Sequence, residues 1–199
     1  MAAPTVPVVG LTGGMGSGKS TALAALERLG AQVLSTDEVV HELYESEPVR
    51  AAVVERWGEE VVRAGRVDRA RVAERAFASA GERAWLEGVL WPLVGERVAA
   101  WLERVRALEP PPRAAVMEVP LLFESGMDGA CDATIALVAG ERLRDARVAE
   151  REHVGAAERS ARQLSEEEKA RRATFVVRND GTLEQLEREL SDVLGKLRR

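Results

Sequence analysis

The segment from Gly13 to Ser20, GGMGSGKS, constrains the fold of this chain more than any other feature. It has the form G-x-x-x-x-G-K-[ST], in which successive backbone N–H groups surround a phosphate. An apolar run from Val6 to Leu11 precedes it, and residues 21–29 follow with leucines on one helical face. A strand, a glycine loop and a helix in that order predict a P-loop, with a polyphosphate held at the helix N-terminus.

The residues of this loop have separate predicted roles. The nucleotide-binding residues that the motif predicts are Gly14, Met15, Gly16, Ser17, Gly18, Lys19, Ser20 and Thr21. Glycines lack a Cβ and let the backbone approach an anion closely. Lys19 is expected to place its charge on the β- and γ-phosphates, and the Ser20 hydroxyl is expected to bind Mg²⁺. The predicted cofactors are therefore ATP and Mg²⁺.

Short apolar runs alternate with helical segments along the rest of the chain. After the first strand, further strands are expected at residues 32–35, 114–119, 133–138 and 175–177. This alternation predicts an α/β fold, with a P-loop NTPase core whose parallel five-stranded sheet is flanked by helices. A helical substrate-binding insert and a helical lid are expected to interrupt that core.

The domain boundaries follow from the helical segments. The core is expected to comprise residues 1–37, 108–140 and 165–199, with the insert at 38–107 and the lid at 141–164. The insert is expected to be helical throughout, with Pro92 separating its last two helices, 82–91 and 93–107. All of the chain's tryptophans lie in the insert, at positions 57, 85, 91 and 101. They form either its core or an apolar concavity for a ligand.

Composition narrows the range of partners and compartments. The net charge of −5 argues against general binding to nucleic acid. No apolar run approaches the roughly 18 residues of a membrane span, and the N-terminus has no signal-peptide pattern. The single cysteine, Cys131, excludes a disulfide within the chain and is expected to be a small core residue. We therefore expect a cytoplasmic protein that acts on a small molecule, with no membrane or nucleic-acid partner.

Asp37 comes at the end of the second predicted strand, about twenty residues beyond the loop. A carboxylate at this edge of the sheet would lie beside the γ-phosphate, where it can orient an acceptor hydroxyl and take its proton. The same residue type is also a preferred helix N-cap. Asp37 is therefore predicted to be the catalytic base, to cap the helix at 38–45, or to do both.

Glu118 closes another apolar strand, which is the position of an acid that holds Mg²⁺ through water. The alternative is a buried structural partner for an arginine. Beyond it, the helical region 141–172 is rich in arginine. Arg144, Arg147 and Arg151 recur on one helical face, from which an arginine could stabilise charge on the transferred phosphate. The alternative for any single one of these arginines is a solvated position beside the glutamates of the same segment.

No N-K-x-D sequence and no suitably placed D-x-x-G sequence occur, which argues against a GTPase switch. The combination of P-loop and Asp37 favours a small-molecule kinase. The alternatives are a P-loop kinase acting on a nucleoside monophosphate and a non-catalytic nucleotide-binding regulator.

Taken together, these segments resemble the dephospho-CoA kinase family nearly end to end. The P-loop, the E-V-P-L-L-F-E stretch at residues 118–124 and the Asn179-Asp180-Gly181 segment are the most similar. The chain departs from the family pattern at Ser35, where the family has an aspartate. It also departs at Trp91, where the family has a histidine, and at Thr174, where the family has an aspartate.

The resemblance implies transfer of phosphate from ATP to the ribose 3′-hydroxyl of dephospho-CoA. It implies that Asp37 is the base and that Lys19 and a lid arginine, Arg147 or Arg151, stabilise charge. It further implies that Ser20 and Glu118 hold Mg²⁺, that Asn179 lies on the nucleotide side, and that the acceptor contacts Asp37, His41, Leu121 and Phe123.

Overall fold

The computed structural model describes residues 5–149 and 163–197. Its strands, in chain order, are β1 (Val8–Gly13), β2 (Gln32–Ser35), β3 (Val62–Arg63), β4 (Arg66–Val67), β5 (Ala115–Glu118), β6 (Ala133–Val138) and β7 (Phe175–Arg178). The main sheet has the order β2-β5-β1-β6-β7, and its strand pairs are all parallel. The predicted five-stranded parallel sheet is therefore confirmed, although β1 begins and ends two residues later than the apolar run suggests.

Helices cover both faces of this sheet. They are α1 (Lys19–Arg28), α2 (Thr36–Tyr44), α3 (Glu47–Trp57), α4 (Arg69–Phe77), α5 (Ala80–Arg106), α6 (Glu141–Ala149), α7 (Glu166–Arg172) and α8 (Leu183–Lys196). The last of these begins with the expected capping box between Thr182 and Gln185. None of the helices in the described ranges is long and apolar enough to cross a membrane.

The two faces of the sheet carry different hydrophobic clusters, because successive strand residues point to opposite sides. Val9 and Leu11 of β1 belong to the cluster formed with α1 and α8. Val8 faces the other side, where the cluster continues into α2, α3, α4 and α5. Cys131 packs against this second cluster, and burial raises the pKa of its thiol to about 11, in keeping with a core residue. Residues 38–107 thus share one hydrophobic core with the sheet.

The expectation that residues 38–106 are helical throughout is wrong at one place. Strands β3 and β4 form a small antiparallel hairpin between α3 and α4. Its turn residues Ala64 and Gly65 both have positive φ, 50° and 79°. Such a turn matches the right-handed twist of the two strands, and its geometry overrides the helical preference of the surrounding sequence.

The expected break at Pro92 is also wrong, because α5 continues from Ala80 to Arg106 with the proline inside it. An internal proline costs a helix about 3 kcal/mol. The buried residues of α5 lie along one face: Leu86, Leu90, Val94, Val98, Trp101 and Val105. Each such side chain contributes about 1.5–3 kcal/mol on burial, so packing outweighs the lost hydrogen bond.

The region 141–172 does not form one continuous helix. The helix α6 ends the first described stretch, and residues 163–165 are not helical before α7 begins at Glu166. Ser165 caps α7 by accepting a hydrogen bond from the Glu168 N–H. The intervening residues 150–162, which include Arg151, lie outside the described ranges.

Candidate active site

A large cleft of about 1960 Å³ opens beside the carboxyl ends of β1, β2 and β5. The P-loop and the start of α1 form one wall. Helices α2, α4 and α5 and the β3–β4 hairpin form the opposite wall. In parallel α/β sheets this edge is where ligands bind, since the strands all end there.

The P-loop connects β1 to α1 with glycines that no other residue could replace easily. Gly16 and Gly18 have φ of 75° and 90°. A Cβ on Gly13 would lie 2.5 Å from the Leu137 carbonyl oxygen, so β6 packs directly against the loop. Of the predicted nucleotide-binding residues, those that line the cleft are Met15, Gly16, Gly18, Lys19, Ser20 and Thr21.

The remaining two predicted loop residues, Gly14 and Ser17, do not line the cleft. A Cβ on Gly14 would meet the carboxylate of Glu166 at 2.7 Å. The Ser17 side chain is buried, and its hydroxyl has no hydrogen-bond partner among the described residues. The Lys19 ammonium donates to the carbonyl oxygens of Gly13 and Gly14 at 3.1 Å each. These contacts hold the lysine over the loop, where a polyphosphate would bring its oxygens.

Asp37 lies in the first turn of α2, exposed and facing the cleft. The alternative prediction that it caps this helix is wrong, because α2 begins at Thr36 and the N-cap is Ser35. The Thr36 hydroxyl donates to the Glu118 carbonyl oxygen at 3.0 Å and ties the start of α2 to β5. Asp37 is thus held at the edge of the sheet by its neighbours, and its own carboxylate points into the cleft.

Glu118 is buried at the end of β5, and its carboxylate accepts a hydrogen bond of 2.9 Å from the Ser35 hydroxyl. Burial raises the pKa of Glu118; the positive charge of Lys19 opposes this rise, and the negative charge of Asp37 adds to it. Lys19 and Asp37 therefore both lie within electrostatic reach of Glu118. Within the described ranges, the Glu118 carboxylate is hydrogen-bonded to Ser35 and not to the arginine considered from the sequence.

Helix α6 lies against the P-loop through its arginines. The Arg147 guanidinium donates to the Gly16 carbonyl oxygen at 3.3 Å and to that of Asn179 at 3.5 Å. The Asn179 side chain in turn donates to the Ser17 carbonyl oxygen at 2.8 Å. Arg144 makes an ion pair with Glu166 at 3.3 Å. The structure therefore brings Arg147 and Asn179 to the loop.

Three of the four predicted acceptor contacts line the cleft. His41 and Leu121 line the cleft together with Asp37. Phe123 is half-buried against the insert-side hydrophobic cluster and is not among the described residues that line the cleft.

Sequence reasoning missed a buried polar network beneath the P-loop. The Lys169 side chain is fully buried, and its ammonium donates to the Thr12 hydroxyl at 3.3 Å and to the Pro120 carbonyl oxygen. It also pairs with the Glu124 carboxylate at 3.3 Å, which accepts a hydrogen bond from the Leu164 N–H. An ammonium has three donors, and these three acceptors use them all.

One sequence signal pointed toward that network. The chain uses arginine almost everywhere, and its few lysines are Lys19, Lys169 and Lys196. A compact ammonium fits a small buried site that a planar guanidinium would overfill. Glu124, the second acid of E-V-P-L-L-F-E, supplies its counter-charge.

Comparison with known proteins identifies the relatives of this chain. The sequence model of one family, dephospho-CoA kinase, matches residues 7–185. The dephospho-CoA kinase of Synechococcus sp. is 36% identical, over 94% of this chain and 91% of its own length. A crystal structure of a Thermus thermophilus protein has a TM-score of 0.79 and 37% identity, covering 96% of this chain and 98% of that one. The dephospho-CoA kinase of Campylobacter jejuni, 21% identical, shares the fold with a TM-score of 0.70 over 96% of each chain.

Proposed function

Since this chain belongs to the dephospho-CoA kinase family, we propose that it transfers the γ-phosphate of ATP to the ribose 3′-hydroxyl of dephospho-CoA. The products are coenzyme A and ADP, and the reaction is the last step of coenzyme A synthesis. The observation that carries the proposal is that one continuous cleft joins Lys19 on the P-loop to Asp37 and to residues 38–107.

Asp37 acts as the base in this proposal. Its exposed carboxylate faces the cleft, and the adjacent Thr36 and Ser35 hydroxyls are both committed to Glu118. A carboxylate placed there orients the acceptor hydroxyl and takes its proton as the bond to phosphorus forms. The departure from the family at Ser35 leaves one carboxylate, Asp37, for this task.

Positive charge around the transferred phosphate comes from Lys19 and Arg147. Both contact backbone carbonyls of the P-loop, so both are held where the phosphates would lie. Fixed charges of this kind stabilise the charge that spreads over the phosphoryl oxygens in the transition state. Arg151, which lies outside the described ranges, is proposed as a further lid arginine with the same role.

Ser20 and Glu118 are the residues that would hold Mg²⁺. Glu118 is buried beside Lys19, and no group of three or more potential ligands from His, Cys, Asp and Glu occurs in the described ranges. This donor set fits Mg²⁺, which is usually held by one or two protein oxygens together with substrate phosphates and water. When bound, the ion neutralises charge on the β- and γ-phosphate oxygens.

The remaining residues divide between the two ligands. Asn179 supports the nucleotide side of the loop through its bond to Ser17, while His41 and Leu121, which line the cleft, serve the acceptor side. Phe123 packs against the hydrophobic cluster behind the cleft and would act on the acceptor only through its neighbours. Residues 38–107 form the acceptor-binding part, residues 141–164 the lid, and the rest the core. The single cysteine, half-buried and unpaired, supports a cytoplasmic setting for the reaction.

The proposal is tested by ADP release from the purified protein with ATP, Mg²⁺ and dephospho-CoA. AMP, CMP and a reaction without acceptor serve as parallel controls. We expect release that depends on dephospho-CoA, with coenzyme A as the second product. Release that depends instead on a nucleoside monophosphate, or none with any acceptor, would contradict it.

The role of Asp37 is tested by Asp37→Asn. The amide retains the size of the side chain but cannot take the proton, so turnover is expected to fall by about 10²–10⁴-fold while ATP binding stays unchanged. ATP affinity is measured by calorimetry in parallel with turnover. Turnover near that of the unchanged protein would remove Asp37 from the chemistry.

A further inference from the structure

Four arginines line the part of the cleft that residues 38–107 form: Arg63, Arg66, Arg69 and Arg83. We propose that they form a binding site for the 5′-diphosphate of the acceptor, separate from the P-loop that binds the phosphates of ATP. This inference rests on the proposed function, since it is dephospho-CoA that carries a diphosphate on the ribose to be phosphorylated.

The β3–β4 hairpin places two like charges directly opposite each other. Arg63 pairs with Arg66 in the register of this two-residue ladder. Like charges at directly opposed positions destabilise a strand pair. The turn at Ala64 and Gly65 holds the register, so the arginines cannot move apart by slipping. An anion bound between the two guanidinium groups would remove this cost.

Other arginines of the same region are paired with carboxylates away from the cleft. Arg56 pairs with Glu82 and Arg75 with Glu60, and both pairs lie outside the cleft lining. Arg63, Arg69 and Arg83 instead line the cleft, where a bound anion can reach them.

The fourth arginine of the set carries only a weak counter-charge. Arg66 lies 3.3 Å from the Glu45 carboxylate, with both side chains largely exposed. An exposed pair of this kind contributes little and is readily exchanged for a better anion. Positive charge from the arginines is therefore available to an anion in the cleft, beside the lining carboxylates of Glu38, Asp68 and Glu87.

Helix α2 leads from Asp37 toward one of these arginines along the cleft. Asp37, His41 and Tyr44 all line the cleft, at the i, i+4 and i+7 positions of one helical face. Arg69 lies close enough to Tyr44 for its charge to act on the phenol.

Seven residues of helix span about 10 Å. The 3′-hydroxyl and the 5′-diphosphate of the acceptor are attached to the same ribose, a few bonds apart. An acceptor with its 3′-oxygen at Asp37 therefore extends its diphosphate toward Arg69 when it lies along α2.

This arrangement would select acceptors by their diphosphate. Arginine binds phosphate oxygens through two N–H groups at once, which adds geometric selectivity to the charge. A nucleoside without phosphate would reach Asp37 but gain nothing from the four arginines. The site would therefore act mainly on acceptor affinity, with little effect on the chemical step.

The test compares acceptors with and without the diphosphate. We would measure kcat and KM for dephospho-CoA and for adenosine with Arg69→Met and with the double variant Arg63→Gln/Arg66→Gln. Loss of a charge-assisted hydrogen bond predicts a rise of about tenfold to a hundredfold in KM for dephospho-CoA, with kcat nearly unchanged. KM for adenosine is expected to stay unchanged. Arg97→Gln is the matched control, because Arg97 is exposed on α5 outside the cleft lining.

The possible outcomes distinguish failure of the diphosphate site from failure of the proposed function. An unchanged KM for dephospho-CoA in both variants, with the unchanged protein active, would overturn the diphosphate site. An equal rise in KM for adenosine would also overturn it, since the arginines would then support the fold of the insert. Inactivity of the unchanged protein on dephospho-CoA would overturn the proposed function itself. Thermal unfolding of each variant confirms that it is folded.

Discussion

Glu118 and Lys169 are both buried close to the P-loop, and burial shifts their pKa values in opposite directions. Burial raises the pKa of the Glu118 carboxyl and lowers that of the Lys169 ammonium. Each shift is partly opposed by a neighbour of opposite charge, Lys19 for Glu118 and Glu124 for Lys169. At the scale of single residues, these groups are therefore sensitive to pH and to the loss of one partner.

The raised pKa of Glu118 predicts a pH-dependent requirement for Mg²⁺. The carboxyl must lose its proton before it can hold the ion, and its raised pKa means that protonation begins at a higher pH than for an ordinary glutamate. We therefore expect the Mg²⁺ concentration for half-maximal activity to rise as the pH falls below neutral. Glu118→Gln should raise the Mg²⁺ concentration for half-maximal activity at every pH and should remove its dependence on pH. A slope that persists in Glu118→Gln would assign it to another group.

Lys169→Met tests the buried network. Removing the ammonium leaves the Glu124 carboxylate and the Pro120 carbonyl oxygen buried without this partner. Breaking a buried ion pair in this way costs about 3–5 kcal/mol, which urea unfolding measures as a loss in the free energy of unfolding. Lys196→Met makes the same substitution at an exposed position and should change stability by less than about 0.5 kcal/mol. Equal effects of the two substitutions would contradict a role for the network.

The pH dependence of stability gives the same network a second readout. The pKa of Lys169 is lower in the folded protein than in the unfolded chain, so between the two values the folded state binds fewer protons. The free energy of unfolding should therefore rise with pH as the pH approaches the ordinary lysine value. In Lys169→Met this contribution should be absent.

Gly18 of the P-loop and Gly88 of α5 differ in what a side chain at each position would contact. Gly18 has φ of 90°, and a Cβ there would lie 2.2 Å from the Asn179 side-chain nitrogen. Gly88, within α5, has open space where its Cβ would be. The first glycine is required by its position, whereas the second only weakens its helix.

The two glycines therefore predict opposite outcomes of one substitution. Gly18→Ala adds about 1–2 kcal/mol of backbone strain and displaces Asn179, so ATP affinity is expected to fall at least tenfold. Gly88→Ala should stabilise the protein by about 0.5–1 kcal/mol and leave ATP affinity unchanged. Calorimetric titration with ATP and thermal unfolding measure the two effects. Normal ATP binding by Gly18→Ala would contradict the packing of Asn179 on the loop.

Local pattern predicted the central elements well and failed at two places in the insert. The sheet strands and the caps at Ser165 and Thr182 follow from apolar runs and capping residues close in sequence. The helix α5 continues through Pro92 because its buried face contacts α2, α3 and α4, which are distant in sequence. The hairpin at 62–67 depends on a positive φ at Ala64. Alanine rarely adopts this conformation, so its presence in the sequence does not predict such a turn.

The cleft extends from the P-loop to residues 38–107, and the four tryptophans of this segment have different surroundings. Trp57 and Trp85 pack edge to face, with ring centres 4.9 Å apart, and Trp101 is buried. Trp91 remains 50% exposed and lines the cleft. Three of the tryptophans therefore belong to the hydrophobic core, whereas Trp91 forms part of the cleft wall, so each of the two alternatives predicted from the sequence holds for some of them.

Trp91 predicts an optical signal for acceptor binding. If the acceptor occupies the insert side of the cleft, dephospho-CoA should change the intrinsic fluorescence without any ATP. Trp91→Phe should remove most of that change while retaining the signal of the other three tryptophans. The measurement is a fluorescence titration with and without ATP. No response of the unchanged protein to saturating dephospho-CoA would count against acceptor binding by residues 38–107.

The P-loop, the parallel sheet and the position of Asp37 at a strand end could all be predicted from the amino-acid sequence. These features depend on residues adjacent in the chain: glycine runs, apolar runs and the residue that follows a strand. Tertiary structure alone decided that Ser35 binds Glu118, that Arg147 and Asn179 rest on the loop, and that Lys169 lies buried beneath it. These contacts join residues 83 to 162 positions apart, and which side chains meet depends on how the helices pack against the sheet.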